Sequence, residues 1–145
     1  MKGCLICDRV VLIQKGKNPY FVKELETGYV VLGDFQYYWG YTLFLSKIHA
    51  EELHQLEHAV MKKFLEEMVI VAHAVYKAFR PTKLNYELLG NGEPHLHWHI
   101  FPRYAIDPHF IDPVWVVEKP VRYSESVRPT QKQLRTLKIK LRKYL

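Results

Sequence analysis

Cysteine is almost missing from this chain: two residues in 145, Cys4 and Cys7. That scarcity excludes a small disulfide-stapled scaffold, and a structural disulfide is not expected in an intracellular chain of this kind. Long hydrophobic runs are also missing. No stretch approaches the roughly 18 consecutive apolar residues of a membrane span, and Met1-Lys2-Gly3-Cys4 has no apolar signal segment. The chain is therefore expected to be soluble and cytoplasmic, without membrane association. Internal repeats and low-complexity linkers are absent, so one domain over residues 1–145 is expected. Acidic residues are missing from one region only. Residues 128–145 hold seven Lys or Arg and no Asp or Glu, and the rest of the chain holds 14 Lys or Arg against 15 Asp or Glu. The net charge of +6 thus belongs to a terminal segment, and general nucleic-acid binding by the domain is not expected.

Hydrophobic patterning gives an alternation of strands and helices. Residues 8–14 are ambiguous between a short helix and a strand. Gly16-Lys17-Asn18-Pro19 marks a turn. Residues 20–25, 29–32, 41–45, 83–89 and 96–101 are rich in aromatic and β-branched residues and read as strands. Leu53, Leu56, Val60, Phe64, Met68, Ala72, Val75 and Phe79 recur at spacings of three and four, which predicts one long helix over 53–79, ended by Pro81. Thr130 with Gln133 forms a capping-box pattern opening a basic C-terminal helix with Leu134, Leu137 and Leu141 on one stripe. Strands around one long helix predict an α+β fold with an antiparallel sheet.

The most informative stretch is His95-Leu96-His97-Trp98-His99-Ile100-Phe101-Pro102-Arg103. In a strand, alternate side chains share a face, so His95, His97 and His99 form a row opposite Leu96, Trp98 and Ile100. Imidazole suits nucleophilic attack, proton transfer and metal binding near neutral pH. A single ion shared by all three is disfavoured, because the outer two are rooted roughly 13 Å apart. His54, His58, His73 and His109 have no spacing partner that suggests a site. Cys4 and Cys7 form a CxxC pair, which reads as either a redox pair or half of a metal site.

The His-x-His-x-His pattern resembles the signature of the histidine-triad (HIT) superfamily. Cys4-Leu5-Ile6-Cys7, Leu32-Gly33-Asp34 and the segment from Gly40 to His49 resemble family segments in the usual order, so the resemblance covers about residues 1–105. It implies an antiparallel five-stranded sheet carrying one long helix, often in a homodimer. It also implies hydrolysis or transfer at the α-phosphorus of an AMP-containing nucleotide. His97 would be the nucleophile that becomes nucleotidylated, and His99 would contact the phosphate and assist the leaving group. Asp34 would accept from the ribose hydroxyls, and is otherwise a surface turn acid. Phe35 would stack on the base or pack in the core. Asn91 would contact phosphate or ribose, or serve only its Gly-rich turn. A subset of such proteins carries structural zinc, and the matching ligands are Cys4, Cys7, His49 and His95. Many members have Gly-His where this chain has Gly40-Tyr41, so Tyr41 either supplies a hydroxyl bond instead or only packs. The competing reading is a purine-nucleotide-binding or RNA-associated module whose basic tail contacts phosphates, with little catalysis.

Overall fold

The computed structural model describes residues 3–145, so Met1 and Lys2 of the N-terminal reading lie outside the described residues. The sheet has five antiparallel strands: β1 (Phe21–Glu24), β2 (Gly28–Leu32), β3 (Thr42–Ser46), β4 (Lys83–Glu87) and β5 (His97–Arg103). Their order is β1-β2-β3-β5-β4, so the histidine strand lies one in from the edge, between β3 and β4. The α+β expectation holds, and the five strands fall within two residues of the predicted ranges.

The alternation of β5 sends its two faces to different neighbours. Ile100 joins Val30, Leu32 and Phe44 under helix α2 (His58–Phe79) and helix α4 (Gln131–Arg142) in the main core, the one-turn helix α3 (Lys119–Arg122) lying between them in the sequence. Phe64, Val71 and Val75 supply the α2 stripe; Leu137 and Leu141, both fully buried, supply that of α4. Each such side chain contributes about 1.5–3 kcal/mol by leaving water. Helix α1 (Leu5–Gln14) covers part of the other face, where Ile6, Val10 and Ile13 meet Tyr29, Val31 and Leu45. The ambiguity over residues 8–14 thus resolves as helix.

One boundary needs correcting. The long helix does not begin at Leu53: residues Leu53–Gln55 form a separate 3-10 turn, and α2 starts at His58. Glu57 is its N-cap, accepting from the Ala59 and Val60 amides at 3.0 and 3.2 Å. Leu53 and Leu56 keep the apolar spacing while the backbone turns. The predicted capping box that opens α4 is present: Thr130 and Gln133 bond each other's backbone amides at 3.3 and 2.8 Å.

Two braces position the site. Gln36 bonds the Gly33 and Tyr41 carbonyls and the Gly40 amide at 2.9–3.0 Å, which fixes the β2–β3 connection. Gly40 has φ +93, and a Cβ on Gly33 would overlap the Tyr41 ring, so both positions require glycine. Arg103, 1% exposed, bonds Asp107, Asn85 and the carbonyls of His109 and Asp112 at 2.9–3.3 Å, pinning the chain that follows β5.

Candidate functional site

Register places the chemistry. His97 lies opposite Leu45, and His99 lies opposite Leu43 on one side and Glu87 on the other. The His97 and His99 rings are 4.6 Å apart between centroids. They open into a cavity of about 220 Å³ with three walls. The floor is Val31, Leu43 and Leu45; α1 contributes Leu5, Ile6 and Arg9; Asp34, Phe35 and Tyr123 close the far end. An apolar slot beside two imidazoles, with a carboxylate at its rim, is the form of a small-molecule site.

Each imidazole has a partner that fixes its proton. His97 Nδ1 lies 2.6 Å from the His95 carbonyl, which can only accept, so Nδ1 carries a hydrogen and, in the neutral ring, the lone pair falls on Nε2. At His99 the pattern inverts. The Tyr41 hydroxyl is 2.6 Å from His99 Nδ1. Burial raises the Tyr41 pKa well above its ordinary value, so the hydroxyl stays protonated and donates. Burial, and then the electrostatic influence of the neighbouring His97 ring, lower the His99 pKa to about 3, so its ring is neutral with the proton on Nε2. The pair therefore offers one nitrogen lone pair and one N–H donor. Tyr41 also packs, stacked on Phe101 at 4.2 Å, so both expected roles for it are present. Beside His99, burial raises the Glu87 carboxyl to about 7 against the opposing pull of Arg122 and Arg103, and its Oε2 is buried without a partner among the described residues.

His95 faces a second cluster. Its Nε2 donates to the Ser46 carbonyl at 3.0 Å, leaving Nδ1 as a free lone pair. That Nδ1 lies 3.5 Å from the sulfurs of both Cys4 and Cys7 and 3.2 Å from His49 Nδ1, and all four ligand atoms fall within 4.8 Å of one another. A tetrahedral ion with bonds of about 2.0–2.3 Å separates its ligands by roughly 3.3–3.8 Å. The cluster fits a metal ion in both spacing and donor type. Both cysteines are free thiols. Burial and the neighbouring Cys4 push the Cys7 thiol up, a repulsion that a bound cation would relieve.

The sequence-predicted residues are thus largely brought together: His97, His99, Asp34 and Phe35 line one cavity, and Cys4, Cys7, His49 and His95 form one cluster. Asn91 stands in an exposed turn and is not among the cavity residues. Sequence reasoning missed Arg9 and Tyr123. Arg9 makes a two-pronged ion pair with Asp34, Nη1 to Oδ1 at 2.7 Å and Nη2 to Oδ2 at 2.5 Å. Tyr123 meets Phe35 edge-on at 5.4 Å. Neither has a motif spacing that could have revealed it.

The HIT domain family model matches residues 17–106. The protein named "Protein hit" from Bacillus subtilis (strain 168) is 34% identical over 72 residues, 46% of this chain. The match spans about half of that relative's length, 49%. A histidine triad protein from Marinobacter aquaeolei VT8 superposes with TM-score 0.73 at 27% identity, covering 86% of this chain and 87% of its own. A histidine triad protein from Sinorhizobium meliloti 1021 shares the fold, with TM-score 0.75 at 21% identity over 86% and 88% of the two chains.

Proposed function

The chain belongs to the HIT family, and on that premise we propose that it is a nucleotide hydrolase acting at the α-phosphorus of adenylylated or dinucleoside polyphosphate compounds. The observation that carries this reading is the 2.6 Å bond from His97 Nδ1 to the His95 carbonyl. It leaves Nε2 of a neutral imidazole available as a nucleophile at the cavity wall.

In the first displacement, His97 Nε2 attacks the α-phosphorus, a P–N bond forms, and the bond to the leaving group breaks. The Nε2–H of His99 donates to the phosphoryl or bridging atom, where charge grows. Water then attacks the nucleotidyl-histidine, its oxygen joins phosphorus, one of its protons passes to solvent, the P–N bond breaks, and AMP leaves with His97 restored as the neutral ring. The apolar floor receives the base, and Asp34 stands where the ribose hydroxyls donate.

Cys4, Cys7, His49 and His95 would hold structural zinc, which supplies a clamp between α1 and the triad strand and takes no part in either displacement. Two free thiols fit a reducing compartment, and we assign the protein to the cytoplasm. No described helix is long and apolar enough to cross a membrane. A homodimer is the proposed assembly. The RNA-associated alternative is not favoured, because Leu134, Leu137 and Leu141 of the basic tail are built into the core.

Product analysis tests the reaction. Purified protein given adenosine phosphoramidate and diadenosine tetraphosphate should release AMP from at least one of them. His97→Ala should lower the rate by at least about a thousandfold. AMP release that persists in His97→Ala would remove the nucleophile assignment. AMP binding without turnover of either compound would favour a binding module.

A further inference from the structure

Arg9 lies on α1, before the segment that the family model matches, and no motif in the chain assigns it a role. We propose that Arg9 is a positioning residue that makes this site prefer ribonucleotides to 2′-deoxynucleotides, acting through Asp34. The inference rests on the reading that Asp34 receives the ribose.

The geometry is specific. The two terminal guanidinium nitrogens each reach one carboxylate oxygen, Nη1 to Oδ1 and Nη2 to Oδ2, and each side chain is about a quarter exposed, 24% in both cases. A carboxylate has about four acceptor positions, and a two-pronged guanidinium occupies two of them. One position on each oxygen remains, fixed in a known plane. Arg9 and Asp34 both line the cavity. Two adjacent ribose hydroxyls can each donate to one oxygen of such a fixed carboxylate. Without the guanidinium, Asp34 would turn about its terminal torsion and hydrate.

Arg9 is itself held in place. The first turn of α1 is anchored by the Cys4 and Cys7 cluster and by the Leu5 amide, which donates to Glu93 Oε2 at 3.2 Å. The cost of losing the 2′-hydroxyl follows. A deoxyribose would leave one oriented, partly buried carboxylate oxygen without its donor, and a charged acceptor pays heavily for that. A mobile, hydrated carboxylate would pay little. Lysine in place of Arg9 would keep the charge and lose the plane, because an ammonium is a point charge.

Titration calorimetry with AMP and 2′-deoxy-AMP tests this without requiring turnover. The native protein should bind AMP at least about tenfold more tightly. Arg9→Met should bring the two affinities within about twofold, chiefly by weakening AMP, and Arg9→Lys should fall between. Asp34→Asn should give the same collapse. An Arg9→Met protein that keeps the native preference overturns the proposal, as does one that binds both nucleotides more tightly, which would make Arg9 a plug. Equal binding of the two nucleotides by native protein removes the ribose role of Asp34 and this proposal with it. Failure to bind either removes the nucleotide reading of the whole site.

Discussion

Tyr41 does for His99 what the His95 carbonyl does for His97: it decides which ring nitrogen carries the proton, with the opposite result. Tyr41→Phe keeps the stack on Phe101 and removes only the bond at 2.6 Å. His99 Nδ1 would be left half-buried and unpaired, at a cost of about 1 kcal/mol in stability. We expect kcat to fall by roughly tenfold with KM little changed, since the lost orientation matters most when charge develops; steady-state kinetics beside thermal melting checks both. His97 and His99 were legible because strand alternation is a local rule, and they line one cavity as read; His95 lies just before β5, in a bend, and turns instead to the cluster of Cys4, Cys7 and His49. Asp34 and Phe35 were legible only through resemblance to a family. Arg9 and Tyr123 were not legible. They reach the cavity from elements that fold over the sheet from opposite ends of the sequence, and no local spacing encodes that meeting.

Helix α1 shows why an element can hide in plain sequence. Its buried residues, Ile6, Val10 and Ile13, follow helical spacing, but Leu5, Val11 and Leu12 are exposed and apolar, which blurs the stripe. The start of α2 misled for the opposite reason, since Leu53 and Leu56 continue a stripe across a backbone turn. Glu67 adds a feature that periodicity does not show: buried within α2, it accepts from the Glu26 and Thr27 amides at 2.9 Å and so fixes the β1–β2 turn. For α1, the four-residue cluster substitutes for a wide apolar stripe. Protein never exposed to chelator should contain about one zinc per chain. Stripping it should lower Tm and release hydrogen-exchange protection in residues 6–14, while β2, β3 and β5 keep theirs. Zinc well below stoichiometric, or a chelated protein with unchanged α1 protection, would count against the clamp.

Across the whole molecule, β4 is an edge strand, and beside it α2 presents Val69, Ile70 and Tyr76, each at least half exposed. Met68, Ala72, Leu84 and Tyr86 line the groove between them. An unpaired edge next to an apolar face is a surface that a second copy would cover. Light scattering should return twice the 17.3 kDa chain mass, and Tyr76→Glu should shift it toward the monomer; a native monomer at micromolar concentration would refute the assembly. The basic tail was readable as a helix but not as a location. Its charges surround a core-building stripe, and Lys138 and Arg142 are spent on the Pro19 and Val22 carbonyls at 2.9 and 2.8 Å. The strand order carries one more consequence. β5 must enter between β3, on the far side of the 22-residue α2, and β4. The cavity also needs Leu5 from the beginning of the chain and Tyr123 from near its end. During synthesis, then, the cavity lacks its far wall until residue 123 has left the ribosome, however early the helices form.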